Sequence, residues 1–385
     1  MRIAIDIRNI GKKRTGDEVV FFNLVKNLSV IDRENDYCLL TDRNPSQDSD
    51  LQAALESLRL APNFKVVNLC ENGAGKILWN VWILPEYLRR NPVDILQVQY
   101  ITPFFVSHKI KIVTIIHDVS FRVFPKLIKK MDLFFLSTLI PLSLRRADKI
   151  IGVSRFTAQE IIKYYGVAPE KVDWIYNAVA DSFRESYTKE QAEAVRRKYD
   201  LPRNFILYIG TLQPRKNLPA LIEAYVRIPT EKRGYCKLVL AGGRGHNFDR
   251  MIDEFIEDYS LQEYVILPGF IDEVDKPLLM GLAQVFCFPS LYEGFGIPIL
   301  EAMTLGVPVI ASNIPPHSEI TEGAALLFDA DDADDFADKL TQIVINDSLR
   351  LTLSQKGLSQ AAKFSWLKTA ERTLDIYRKL CNISN

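Results

Sequence analysis

The stretch Ser290-Leu-Tyr-Glu293-Gly-Phe-Gly-Ile-Pro-Ile-Leu-Glu301 decides how this chain is read. The apolar run just before it, Val285 to Phe288, has the length and composition of a buried strand. Pro298-Ile-Leu-Glu-Ala-Met then reads as a helix with proline in its first turn, where a missing N–H breaks no helical hydrogen bond. Gly294 and Gly296 let the backbone approach a ligand closely, and the helix start presents N–H donors that have no acceptor within the helix. Glu293 sits in the loop and Glu301 about one turn into the helix, so both carboxylates can border one pocket. Either glutamate alone is accounted for by the helix dipole, which favours an acid near a helix start by roughly 0.3–1 kcal/mol. Together with Gly-Phe-Gly-x-Pro they suit a hydroxyl-rich ligand carrying an anionic group, and a sugar nucleotide fits that description.

Outward from this stretch, strands alternate with helical patterns, the mark of α/β architecture with parallel sheets. Further runs in the second half begin at Phe205, Leu238, Val265, Val307 and Ala325. In the first half, runs begin at Ile3, Tyr37, Val66, Ile95, Ile112 and Ile150, with helical patterns over 19–28, 77–88 (broken or kinked by Pro85) and 133–144. Between Ser182 and Pro202 the pattern turns polar and charged before the second series starts. Two doubly wound sheets in tandem follow, with a boundary near residue 180. Such sheets bind ligands outside the carboxyl ends of their strands, so two of them facing each other would make a cleft.

The length of 385 residues argues for two domains, and 48% hydrophobic with 25% charged residues is an ordinary globular balance. Lys+Arg and Asp+Glu are both 48, so bulk charge gives no reason to expect nucleic acid. Five scattered cysteines without Cys-x-x-Cys argue against a zinc ribbon or a disulfide framework, and for a reducing compartment. The first residues, Met-Arg-Ile-Ala-Ile-Asp-Ile-Arg, read as a strand and not as a signal peptide. The apolar stretch from Leu133 to Leu144 is too short to span a bilayer.

Gly210-Thr-Leu-Gln-Pro-Arg215-Lys216-Asn217 leaves a strand and opens a helix. Two adjacent cations there add point charges to amide donors and make a diphosphate site, although an isolated Arg-Lys pair is otherwise a solvated loop. His117-Asp118 ends the run Ile112–Ile116, and from the residues alone a rim role and a functional role weigh evenly. Gly11 and Gly16 occupy the loop after the first strand, where glycine permits close approach to phosphate or sugar; a plain turn accounts nearly as well for Gly11. Lys12, Lys13 and Arg14 in that loop meet either an anionic acceptor or solvent, and solvent is the commoner fate. In Leu238-Val-Leu-Ala-Gly-Gly243-Arg-Gly245 the third glycine of a dinucleotide fingerprint is replaced by Phe248, so Gly242 and Gly243 are better assigned to the nucleotide side of the cleft. Asp329-Ala-Asp331 has the spacing of an Asp-x-Asp metal motif, but it adjoins Asp332, Asp334 and Asp335 at the start of a helix running to Ile345, where acids are favoured electrostatically. It reads as a helix start.

The segment from Ser290 to Glu301 resembles the Glu-x7-Glu motif of the retaining GT-B glycosyltransferases of the fourth family, and Gly210 to Asn217 resembles that family's Gly-x-x-x-Pro-Arg-Lys-Asn phosphate segment. The resemblance runs over the chain, strongest from about 205 to 310 and loosest from 10 to 105, with Asn177-Ala178 where the family commonly has Asn-Gly. It implies two Rossmann-like doubly wound domains facing across a cleft. Residues 1–180 would form the acceptor domain, with 366–385 packing back on it, and 181–365 the donor domain. Glu293 would then meet hydroxyls of the donor sugar and Glu301 the ribose. Amides of Gly294, Phe295, Gly296 and Ile297 would hold sugar and diphosphate, with Arg215 and Lys216 on the departing diphosphate and His117 beside the transferred sugar. Gly16, Gly210, Gly242, Gly243 and Phe270 would complete the donor site, the loop at Phe270 cupping the base.

The reaction so implied is retaining transfer of a mannose- or glucose-type hexose from a GDP- or UDP-linked donor to a glycan or lipid-linked acceptor, as in polysaccharide biosynthesis. No metal and no cofactor beyond the nucleotide-sugar co-substrate is expected, and the implied setting is cytoplasmic with peripheral membrane association. Two rivals remain at this point. A glycoside hydrolase would use Glu293 and Glu301 as acid and base but leaves Arg215 and Lys216 without a task. A two-domain sugar or nucleotide receptor would bind without turnover.

Overall fold

A computed structural model describes residues 1–385 apart from 13–15, 72, 128–129, 246 and 383–385. Lys13 and Arg14 of the first loop therefore lie outside the described residues. The chain forms two compact units, one of Met1–Ala178 with Ser365–Asn385, the other Val179–Phe364.

In the first unit the strands are β1 (Arg2–Asp6), β2 (Asp36–Thr41), β3 (Phe64–Asn68), β4 (Ile95–Gln99), β5 (Lys111–Ile116), β6 (Lys149–Gly152) and β7 (Val172–Trp174). They pair in parallel in the order β3-β2-β1-β4-β5-β6-β7. Their near-continuous apolar runs suit a sheet covered on both faces, and Ile3, Ile5, Ile112 and Val113 are fully buried. After β1 comes α1 (Asp17–Ile31), which buries Phe21, Leu24, Val25 and Leu28 along one stripe. After β5 comes α2 (Lys130–Arg146).

Two expectations need correcting here. β7 is absent from the runs read in the sequence, because it is three residues long, has Asp173 at its centre and pairs only with β6. The helical pattern over 77–88 is not broken at Pro85, and of the two alternatives only an irregularity just ahead of the proline is found. Trp79–Ile83 forms a π-helical turn in which Leu84 N–H bonds back to Trp79 O, and Pro85 sits in the first turn of the α-helix Leu84–Arg90. The widened turn lies just ahead of the residue that can donate no hydrogen bond, so the irregularity falls before proline.

In the second unit the strands are β8 (Phe205–Ile209), β9 (Lys237–Ala241), β10 (Val265–Ile266), β11 (Val285–Phe288), β12 (Val309–Ser312) and β13 (Leu326–Phe328). The order is β10-β9-β8-β11-β12-β13, again parallel. In this order β8 and β11 are neighbours whose crossovers run to opposite sides, so a crevice opens at their carboxyl ends. Helices α3 (Leu218–Val226), α4 (Ile297–Thr304), α5 (Pro315–Thr321) and α6 (Ala333–Ile345) follow β8, β11, β12 and β13. The last helix, α7 (Trp366–Asn382), belongs to the first unit: it packs on α1, and Tyr377 donates to Gln97 Oε1 at 3.0 Å.

Candidate active site

The loops leaving β8 and β11 are tied together at the crevice of the second unit. Pro214–Lys216 makes a single 3-10 turn, Asn217 takes a left-handed conformation and α3 begins. Leu291 N–H donates to Arg215 O at 2.9 Å, fixing this turn to the Ser290–Glu301 segment. Arg215 Nη1 donates to Tyr292 O and stands 3.2 Å from Glu293 Oε1. Lys216 Nζ bonds the same carboxylate oxygen and lies 4.9 Å from the centre of the Phe288 ring. Burial opposes ionisation of Glu293, but the two cations override it and hold its carboxyl down to about 2. A fixed anion is thus clamped between two fixed cations.

Gly296 opens α4 at φ +109°, no side chain caps the helix, and Pro298 occupies its first turn. A Cβ at Gly296 would come within 3.1 Å of Ile320 Cδ1 and 3.4 Å of His317 Cδ2, so backbone angle and packing both select glycine. His317 is fully buried on α5 beneath this helix start. Ser312 Oγ donates to Ser290 O at 2.5 Å, and His317 Nδ1 lies 3.0 Å from Ser312 O, a pure acceptor. Nδ1 therefore carries the proton and Nε2 the lone pair. Nε2 is buried and has no hydrogen-bond partner among the described residues. Burial pushes the imidazole down to about 4 against the pull of Glu293, so the ring is neutral near pH 7.

Glu301 has a cation of its own. Lys276 Nζ lies 2.9 Å from each carboxylate oxygen, and both side chains are largely buried. Burial pushes the Glu301 carboxyl up, with the ammonium opposing it. The two glutamates of the segment thus sit in different electrostatic settings, one clamped low by Arg215 and Lys216, the other a buried pair with Lys276.

Glycines line the adjoining strand ends. Gly210 N–H donates to Ala241 O at 3.0 Å and Gly242 N–H to Gly269 O at 2.9 Å, stitching the ends of β8, β9 and β10 together. A Cβ on Gly242 would lie 1.9 Å from Gly210 O, and one on Gly210 2.7 Å from the Tyr208 hydroxyl. Gly243 has open space around it, and Phe270 is 60% exposed in the loop that follows β10.

In the first unit, Gly16 (φ +66°) directly precedes α1. His117 ends β5 with its ring 5.7 Å from that of Tyr100, and its buried Nε2 has no hydrogen-bond partner among the described residues. Burial pushes its pKa down, opposed by the carboxylates of Asp17 and Asp118. Gly11 is a packed turn: a Cβ there would meet Leu51 Cα at 2.6 Å, and its N–H donates to Glu18 Oε1 at 2.6 Å. Lys12 lies 3.9 Å from the buried Asp42. The acidic cluster before α6 works locally: Asp332 accepts from Asp334 N and Asp335 N as the helix cap, Asp335 from Asp329 N, and Asp329 from Asp331 N.

The family model for glycosyl transferases group 1 matches residues 191–360, and that for glycosyltransferase family 4 matches residues 15–183. The chain is 33% identical to O-antigen chain mannosyltransferase B of Escherichia coli over 281 residues, covering 72% of this chain and 73% of that one. It is 34% identical to the serotype-specific mannosyltransferase WbdA of Escherichia coli over 242 residues, which is 62% of this chain but only 30% of WbdA. Among solved structures, Alr3699/HepE of Anabaena in complex with UDP and glucose aligns with a TM-score of 0.74 at 17% identity, covering 98% of this chain and 100% of that one. That likeness bears on the fold, and the two parallel sheets are those of GT-B enzymes. The chain belongs to the group 1, family 4 glycosyltransferases, and it is a glycosyltransferase.

Proposed function

We propose that this enzyme moves a mannosyl unit, or a closely similar hexosyl unit, from a GDP- or UDP-linked donor to a glycan or lipid-linked acceptor in polysaccharide assembly, with retention and without a metal ion. The observation that carries the reading is the clamp of Arg215 and Lys216 on an ionised Glu293 at the β8–β11 crevice. As the bond from the anomeric carbon to the diphosphate breaks, charge builds on the leaving oxygen, and these two cations together with the α4 start are the groups suited to stabilise it. Glu293 serves the sugar hydroxyls, Glu301 the ribose, and the amides of 294–297 the sugar and diphosphate. The acceptor hydroxyl gives its proton to a diphosphate oxygen as the new bond forms on the leaving-group face. His117, which directly follows β5, is the remaining residue proposed to act in transfer.

The mannosyl preference comes from the relatives named as mannosyltransferases. Metal independence is supported by the protein's own cations and by the hydrogen-bonding work already done by Asp329, Asp332 and Asp335. A hydrolase built on Glu293 and Glu301 would leave Arg215 and Lys216, both committed to Glu293 at the crevice, without a task.

Turnover with GDP-mannose, UDP-glucose and their base- and sugar-swapped counterparts tests the donor. Product NMR reads the anomeric configuration, and a parallel reaction in excess EDTA reads the metal. An inverted anomer, or activity lost in EDTA and restored by a divalent ion, overturns the corresponding part.

A further inference from the structure

We infer, resting on the expected placing of Phe270 at the base and of Glu301 at the ribose, that Lys198 and Tyr199 are positioning residues for the nucleoside end of the donor site. They close the polar stretch that precedes the second series of strands. Lys198 ends the helix Lys189–Lys198, which opens on a capping box of Thr188 and Gln191, and Tyr199 follows it with its ring buried. This helix packs against the helix Lys276–Gly281, and its last two residues hold the turn that leads into that helix. Tyr199 Oη accepts from Asp272 N–H at 3.1 Å and donates to Asp275 Oδ2 at 2.9 Å, so the phenol works as acceptor and donor at once. Lys198 Nζ donates to Asp272 Oδ2 at 2.7 Å and to Asp275 Oδ2 at 2.5 Å, and lies 5.0 Å from the centre of the Tyr199 ring. The ammonium holds the Asp272 carboxyl below its ordinary value, which keeps two like charges on one turn. The turn itself closes through Asp275 N–H and Lys276 N–H, which donate to Asp272 O at 2.9 and 3.1 Å.

This braced turn separates two residues of the donor site. Phe270 lies two positions before Asp272, and Lys276, which holds Glu301, directly follows Asp275. An exposed ring has little packing to fix it, so its placement comes from the backbone on either side. On one side Gly269, at φ +80°, accepts from Gly242 N–H at 2.9 Å; on the other, Asp272 N–H is tied to Tyr199. A loop set before the ligand arrives leaves little ordering cost to subtract from binding. The ion pairs of Lys198 are half exposed and weak singly, whereas the phenol is buried, so the hydroxyl carries the larger share. Bond breaking is assigned to the crevice at Arg215 and Lys216, so the brace acts on affinity and leaves the chemical step unchanged.

Calorimetry of the full chain with GDP, UDP and inorganic pyrophosphate tests it, beside steady-state rates. Tyr199→Phe keeps the buried ring and removes only the hydroxyl. It should weaken the tighter of the two nucleoside diphosphates about 3–10-fold, leave pyrophosphate affinity unchanged, and raise KM for the donor at constant kcat. Lys198→Met should weaken the same nucleotide about two- to fivefold, and Lys198→Arg should regain it. Phe270→Ala separates the premise from the brace. Unchanged nucleotide affinity in Phe270→Ala removes the base reading, and the task of the brace with it. Affinity lost in Phe270→Ala but kept in Tyr199→Phe overturns the brace alone. Equal weakening of nucleotide and pyrophosphate in Tyr199→Phe also overturns it, since the hydroxyl would then only hold the second unit together.

Discussion

At Glu293 a single carboxylate is shared by two cations that the proposed reaction turns toward a phosphate, and removing its charge separates two roles. Glu293→Gln should abolish transfer yet bind nucleoside diphosphate as well as wild type or more tightly, because Arg215 and Lys216 lose their internal counterion. Lys216→Ala should lower turnover by about 10²–10³. Calorimetry beside steady-state rates reads both, and weakened nucleotide binding in Glu293→Gln would contradict the division. Lys276 offers a second test, since it holds the carboxylate proposed to meet the ribose. Wild type should prefer a ribonucleoside diphosphate over its 2′,3′-dideoxy analogue, Lys276→Met should lose most of that preference, and Lys276→Arg should regain it. No preference in wild type would remove the ribose role of Glu301 itself, whereas a preference untouched in Lys276→Met would make the pair structural only. His317 governs acid stability. Its folded pKa of about 4 lies below the free value of 6.5, so the unfolded chain binds the extra proton first. Stability should fall as pH drops from about 6.5 to 4 and level off below, by on the order of 3 kcal/mol. Glu293 adds a loss of the same sign between about 4.5 and 2. Urea midpoints against pH should lose the upper slope in His317→Gln, and an unchanged slope would assign it elsewhere.

Among the elements, the row of strand ends at Gly210, Gly242 and Gly269 is where small size matters most, and two adjacent glycines make a controlled comparison. Gly242→Ala puts a methyl 1.9 Å from Gly210 O and must part β8 from β9, while Gly243→Ala enters open space. The first should cost about 2–4 kcal/mol and reduce nucleotide affinity, the second under about 0.5 kcal/mol. Equal melting temperatures would show that the strand ends yield freely. The same row explains what could be read in the residues beforehand. Runs such as Phe205–Ile209 and Val285–Phe288 declare themselves because strands covered on both faces need no polar alternation. The glycines and the Arg215-Lys216 pair were legible because each falls at the end of such a run. β7 was not, having only three residues with an aspartate in the middle. Lys276 and His317 were not legible either: a lysine entering a helix and a histidine after Pro315-Pro316 are ordinary surface residues until tertiary packing buries them against Glu301 and beneath Gly296.

On the scale of the whole molecule, each unit owns a complete sheet, but the chain enters the second unit at Val179 and returns to the first at Ser365. The first unit is therefore unfinished until the last helix has been made. On α7, Ala370, Thr373, Leu374, Ile376 and Tyr377 are buried, and Thr369 Oγ1 donates to Tyr176 O at 2.7 Å. Removing four large buried side chains, Trp366, Leu374, Ile376 and Tyr377, and exposing their partners should cost on the order of 5–10 kcal/mol, comparable to the entire stability of a domain. The second unit keeps both its sheet and the Arg215–Lys216–Glu293 clamp, so its loss should be slight. A chain ending at Phe364 should then show fast amide exchange in β1, β4 and β5, with β8 and β11 still protected. Nucleoside diphosphate should still bind and further slow exchange around Gly210 and Gly296, while sugar transfer, for which His117 is a proposed contributor, should vanish. Protected first-unit strands in the shortened chain would show that α7 only decorates a unit already stable. Loss of nucleotide binding together with an intact second sheet would show instead that the proposed donor site draws essential contacts from beyond the second unit.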